Sequence, residues 1–119
     1  MEIFKEFRFE AAHSLPHLPE GHKCRNLHGH SYLVRVVVSG PVNEATGWVM
    51  DFADISRAFR PIFERLDHAF LNDLPGIGPS TTENLARWIW RELRPGVPLL
   101  ARVEIWETPT SGCVYAGEG

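Results

Sequence analysis

From His28 to Ser39, the residues His28, His30, Tyr32, Val34, Val36 and Val38 fall at every second position. This spacing and the β-branched content predict a strand with one apolar face that begins in two imidazoles. A helix would scatter the same side chains around its circumference. The opening stretch has the same period. Ile3, Phe7, Phe9 and Ala11 share one face, Glu2, Glu6, Arg8 and Glu10 lie mostly on the other, and His13 continues the apolar face at its end. A Pro/Gly-punctuated loop over residues 15–27 joins the two strands, and pairing them would bring His13 to His28 and His30. Gly40-Pro41 ends the second strand.

The period then changes. Asp51 reads as the N-cap of a helix in which Phe52, Ile55, Phe59, Ile62, Phe63 and Leu66 recur at helical spacing, with Pro61 expected to kink or tighten it. After a loop rich in Gly and Pro, Ser80-Thr81-Thr82-Glu83 has the pattern of a capping box. It opens a second helix with Leu85, Trp88, Ile89 and Leu93 inward, stopped by Pro95-Gly96. A third strand is expected over residues 99–107, with Leu99, Ala101, Val103, Ile105 and Glu107 on one face, and a short fourth over 113–116. The order ββααββ predicts an α+β fold, a four-stranded antiparallel sheet with two helices on one face, as a single domain over residues 1–119.

Composition excludes several classes. With 44% hydrophobic and 23% charged residues the chain is not disordered. A net charge of −3, with Lys and Arg scattered among the acids, argues against a general nucleic-acid binder. No apolar run approaches the roughly 20 residues of a membrane span. Met1 to Glu6 lack the apolar core of a secretory signal, and Cys24 and Cys113 need not be bridged, so the expected location is cytoplasmic with reduced thiols.

Five of the 6 histidines (His13, His17, His22, His28, His30) crowd into one segment. His28-Gly29-His30 places two imidazoles on one strand face, and with His13 they form a three-nitrogen set suited to Zn2+ with one position open. The bland alternative is three strand histidines satisfied by hydrogen bonds. Cys24 lies in the polar loop beside Lys23 and Arg25. It reads as a fourth metal ligand, a small buried hydrophobe, or a free thiol whose acidity those cations and a metal would raise, and the last is favoured. Asp67-His68 reads either as a proton relay or as a solvated helix end. Glu107 shares a face with Val103 and Ile105, so it either meets a ligand's N–H groups or frays into solvent. Thr81, Thr82 and Glu83 read first as a helix cap. Cys113 reads as a small packed residue, and Trp48, Trp88, Trp90 and Trp106 as core or interface.

Taken together, Phe9-Glu10-Ala11-Ala12-His13, Cys24-x-x-x-His28-Gly29-His30, Leu66-Asp67-His68, Thr81-Thr82-Glu83-Asn84-Leu85 and Glu107-Thr108 resemble the 6-pyruvoyl-tetrahydropterin synthase family from about Phe4 to Gly117. The short gap between Cys24 and His28 resembles the bacterial carboxy-forming branch. The resemblance implies the T-fold, a barrel closed by homo-oligomerisation (a trimer or a dimer of trimers), with active sites at protomer interfaces. It also implies Zn2+ on His13, His28 and His30, Cys24 as base, Asp67 and His68 as relay, and Glu107 as the anchor of the pterin ring. Thr81, Thr82 and Glu83 would help seat that ring. Lys23 and Arg25 are candidates for the triphosphate of a pterin substrate. The implied reaction converts 7,8-dihydroneopterin triphosphate into 6-carboxytetrahydropterin with loss of acetaldehyde and triphosphate, towards 7-deazaguanine and queuosine. Two alternatives stand beside it: a pyruvoyl-forming triphosphate lyase, and a non-catalytic zinc-stabilised module with Cys24 as fourth ligand.

Overall fold

The computed structural model describes residues 1–118. Its first strand, β1, covers Glu2–His13 and its second, β2, His28–Ser39. They pair antiparallel along their whole length, from Glu2 opposite Ser39 to His13 opposite His28. The loop between them holds one turn of 3-10 helix at Lys23–Arg25. Helix α1 covers Phe52–Leu66 and is followed at once by a two-residue strand, β3, at Ala69–Phe70. Helix α2 covers Thr82–Leu93, and β4 (Leu100–Thr108) and β5 (Ser111–Tyr115) close the chain as a hairpin.

The sheet order is β3-β1-β2-β4-β5, so it has five strands where four were expected. The extra strand is too short to show periodicity. It runs parallel to β1 at Ala11 and Ala12 because α1 delivers the chain to that edge. Both helices cover one face, α1 on β1 and α2 on β4 and β5. The predicted faces meet there. Phe9, Tyr32, Val34, Val36 and Val38 are buried against Ile55, Phe59, Leu66, Leu85, Trp88 and Ile89, and each large apolar side chain contributes roughly 1.5–3 kcal/mol.

Asp51 caps α1 by accepting the N–H of Ala53, and Pro61 sits inside the helix. Phe52, expected on the inner face, is instead exposed. The capping box does not form. Thr81 is the N-cap and accepts the Asn84 N–H, while Ser80 turns inward to other partners. The face predicted for the third strand also shifts. Between Val37 and Val38 the register slips, with Arg102 opposite Val37 and Leu100 opposite Val38. This bulge at Ala101 buries Leu100 and leaves Leu99 exposed, while Val103 and Ile105 keep their inward parity.

The helix-free face mixes charged side chains with apolar ones such as Phe4 and Val114. The Arg35 guanidinium binds Glu6 at 2.7 Å and Glu104 at 3.4 Å and lies over the Phe4 and Trp106 rings. Trp88 is in the core, whereas Trp48 is exposed. Apart from Ala11 and Ala12, the outer edge of β1 pairs with no strand among the described residues. Among the described residues no helix is long and apolar enough to cross a membrane.

Candidate metal centre

At the end of the β1–β2 ladder His13 faces His28, with His30 two residues further along the same face. Gly29 passes between them with its backbone close to β1: a Cβ there would stand 3.3 Å from the Ala11 carbonyl. The three imidazole rings lie edge to face, their centroids 4.5, 5.1 and 4.9 Å apart. Glu107, from the end of β4, completes the cluster. One donor atom from each of His13, His28, His30 and Glu107 lies within 4.8 Å of every other.

The backbone fixes which ring nitrogens face inward. His13 Nδ1 lies 2.6 Å from the Ser80 carbonyl, and His28 Nδ1 2.7 Å from that of Asn26. A carbonyl can only accept, so both Nδ1 atoms carry a proton, and Nε2 is the nitrogen each ring has left to offer an ion. His13 Nε2 and His30 Nε2 are buried, and neither has a hydrogen-bond partner among the described residues. Glu107 Oε1 lies 2.9 Å from His30 Nε2 and 3.4 Å from His13 Nε2, close enough for an ionic interaction but not aligned as a hydrogen bond. Burial holds the His30 pKa below that of a free imidazole and outweighs the pull of Glu107, with His13 and His28 adding to the lowering. Three convergent imidazoles, two of them with buried Nε2 atoms that lack a hydrogen-bond partner, beside a carboxylate fit a divalent cation. Satisfied core histidines would have partners for those atoms.

Glu107 is the one donor that sequence reasoning left out of the metal set. Its parity was legible, but its meeting with His30 depends on how β4 pairs with β2. Glu107 is neither deeply buried nor frayed, and its second oxygen accepts the Thr82 hydroxyl at 3.1 Å. Thr82 is therefore part of the site as well as the first residue of α2, whereas Thr81 serves the cap and Glu83 is exposed. The carboxylate and burial act on Tyr32 too. Burial first, and Glu107 second, push its phenol well above the usual value, and its hydroxyl has no partner among the described residues.

Cys24 does not join the donor cluster, so a closed site with Cys24 as fourth ligand is not assembled. Instead it lines a cavity of about 450 Å³ together with Lys23, His28, His30, Glu107 and Thr108. Both cysteines are free. The loop carrying Cys24 is held from two sides. Its N–H donates to His22 Nδ1, and the Arg25 guanidinium donates to the Pro16 and Leu18 carbonyls at 3.0 and 2.8 Å. Arg25 is thus engaged in shaping its own loop, and Lys23 is the cation that lines the cavity.

Asp67 and His68 do face each other although adjacent in sequence, with Asp67 Oδ2 2.9 Å from His68 Nδ1. The contact is possible because His68 has a positive φ of 60°, which turns the chain back at the end of α1. Asp67 Oδ1 accepts the Glu10 N–H at 3.0 Å, and this bond, more than its contacts with His68, holds the carboxyl below the usual range. His68 is 79% exposed and lines a separate cavity with Glu10, Ser31 and His30, so one chain does not place it beside Cys24.

Residues 2–118 match the family described as 6-pyruvoyl tetrahydropterin synthase. A Synechocystis protein named 6-carboxy-5,6,7,8-tetrahydropterin synthase is 47% identical over 95% of this chain and 91% of its own length. The human 6-pyruvoyl tetrahydrobiopterin synthase is 41% identical over 81% of this chain and 72% of its own length. Among solved structures, Caenorhabditis elegans 6-pyruvoyl tetrahydropterin synthase superposes with a TM-score of 0.90 at 28% identity, covering 99% of this chain and 96% of that one.

Proposed function

The chain belongs to the 6-pyruvoyl tetrahydropterin synthase family, and from that membership and the site we propose that it is a zinc-dependent 6-carboxy-5,6,7,8-tetrahydropterin synthase. The reaction takes 7,8-dihydroneopterin triphosphate and water to 6-carboxytetrahydropterin, acetaldehyde and triphosphate. This reading places the enzyme in the cytoplasm on the route to 7-deazaguanine and queuosine. The observation that carries it is the cavity in which Cys24 stands with His28, His30 and Glu107, beside the cluster of three imidazoles.

His13, His28 and His30 would hold the ion. Bound Zn2+ supplies Lewis-acid polarisation of the substrate's oxygens. Glu107 accepts the amide N–H and 2-amino group of the pterin, so the ring lies across the cavity with its side chain towards Cys24. Thr82 orients that carboxylate through its hydroxyl, and Thr81 and Glu83 stand at the same helix start. The Cys24 thiolate takes a proton from the substrate side chain, and His68, held by Asp67, exchanges protons on the other side. Lys23 meets the triphosphate, and Arg25 keeps the loop in shape.

His68 serves the cavity of a neighbouring copy in this scheme. Its exposure and the unpaired edge of β1 support a homo-oligomer, a trimer or a dimer of trimers, whose sheets close edge to edge. A second reading, the pyruvoyl-forming triphosphate lyase, is favoured by the likeness to the human enzyme. Anaerobic incubation of zinc-loaded protein with 7,8-dihydroneopterin triphosphate separates the two. Stoichiometric acetaldehyde with a 6-carboxy product is expected. Triphosphate release without acetaldehyde would establish the second reading, and intact substrate would overturn both.

A further inference from the structure

Asn72 has no part in the chemistry above, yet it joins three segments behind His13. Its side-chain carbonyl accepts the Ser14 N–H at 3.0 Å and the Ser80 hydroxyl at 2.8 Å, and its amide donates to the Ser14 carbonyl at 2.8 Å. It thereby pairs with Ser14 as a neighbouring strand would, at the point where β1 has run out of partners. Ser80 is 1% exposed, and its own carbonyl is the acceptor 2.6 Å from His13 Nδ1. The chain of contacts runs from Asn72 to Ser80 to His13, and separately from Asn72 to the residue that follows His13. Helix α2 begins directly after Ser80, at a Thr81 cap, so the carbonyl's position also fixes where the helix starts.

We propose that Asn72 is a positioning residue of the metal centre: by fixing Ser14 and the Ser80 carbonyl it holds the His13 ring with its Nε2 lone pair aimed at the ion. This rests on the metal reading above. Without Asn72 the Ser80 hydroxyl keeps only the Ser14 carbonyl, 3.2 Å away, and the carbonyl facing His13 is free to turn. Outer partners of metal-bound imidazoles typically govern affinity by 10–100-fold.

The test uses full-length Asn72→Ala and Ser80→Ala, with Ser14→Ala as the control that keeps the backbone contacts. Zn2+ affinity is measured against a chromophoric chelator. Asn72→Ala and Ser80→Ala are expected to weaken Zn2+ binding by about 10-fold or more, and Ser14→Ala to leave it unchanged. In a His13→Ala background Asn72→Ala should cause no further loss, because its effect passes through that ring. A second readout needs no metal: the downfield Nδ1–H proton resonance of His13 in the metal-free protein should broaden or disappear in Asn72→Ala and Ser80→Ala. Unchanged affinity and an unchanged proton signal in folded variants would overturn the proposal, as would full additivity with His13→Ala. Should Asn72→Ala not fold, Ser80→Ala decides alone. A wild-type protein that takes no Zn2+ overturns the metal reading, while the His13 proton signal still decides the positioning role.

Discussion

His30 Nε2 and Glu107 Oε1 stand 2.9 Å apart, joining the start of β2 to the end of β4. The carboxylate thus faces the imidazoles on one side and the open cavity on the other, where a ring with paired N–H groups can reach it. Glu107→Gln keeps the size and removes the charge. The variant is expected to retain zinc through three imidazoles while kcat/KM falls about 100-fold or more, the scale of a lost charged contact of roughly 3 kcal/mol. Metal analysis beside steady-state kinetics checks it, and loss of zinc in the variant would move Glu107 from substrate anchor to ligand.

Cys24→Ala is expected to hold zinc as the wild type does, because the sulfur lies outside the donor cluster. Activity should fall by about 10²–10⁴-fold, the usual worth of a general base. A variant that loses its metal would restore the closed-site reading.

The two thiols should differ in reactivity. Burial, then Glu83 and Glu107, push the Cys113 thiol up to about 11, so at pH 8 only roughly one in a thousand is ionised. Iodoacetamide at that pH is expected to label Cys24, read by peptide mass, and to leave Cys113 unmodified in the folded protein.

Asp67 ties the end of α1 to β1 through the Glu10 N–H. Its carboxyl titrates lower in the folded chain than in the unfolded one. Its contribution is therefore complete above the unfolded value of about 3.9 and is lost as pH falls through the lower folded value. Between pH 5 and 2 the Tm of Asp67→Asn should fall less steeply than that of the wild type. Parallel curves would show that the carboxylate's charge contributes nothing.

Gly112 is a tight backbone approach in the hairpin: a Cβ there would overlap the Ile105 carbonyl oxygen and lie 3.0 Å from the Trp106 Cα. The neighbours are backbone and cannot rotate away. Gly112→Ala is expected to cost about 1–3 kcal/mol of stability in urea unfolding. It should also lower activity, since spreading β4 from β5 moves Glu107.

Local pattern determined a good deal of this protein. Alternation placed Phe9, His13, His28, His30, Tyr32 and Val34 on one face, and helical spacing placed Ile55, Phe59, Leu85 and Ile89 against them. These are properties of neighbouring residues, and burying the apolar side of a strand or helix leaves little choice. The Asp51 cap was legible for the same reason. The three imidazoles could be grouped because one antiparallel pairing joins them.

The tertiary structure decided everything that depends on register between distant segments. The bulge at Ala101 reset which residues of β4 face inward, and the pairing of β2 with β4 brought Glu107 to His30. The meeting of Asn72 and Ser80 behind His13 needed three segments at once. In sequence Asn72 is one more polar loop residue, and Ser80 looks like half of a capping box. Side-chain period is a local quantity, whereas a contact between remote segments is settled by how the whole core closes, and only that closure shows which polar groups must find each other.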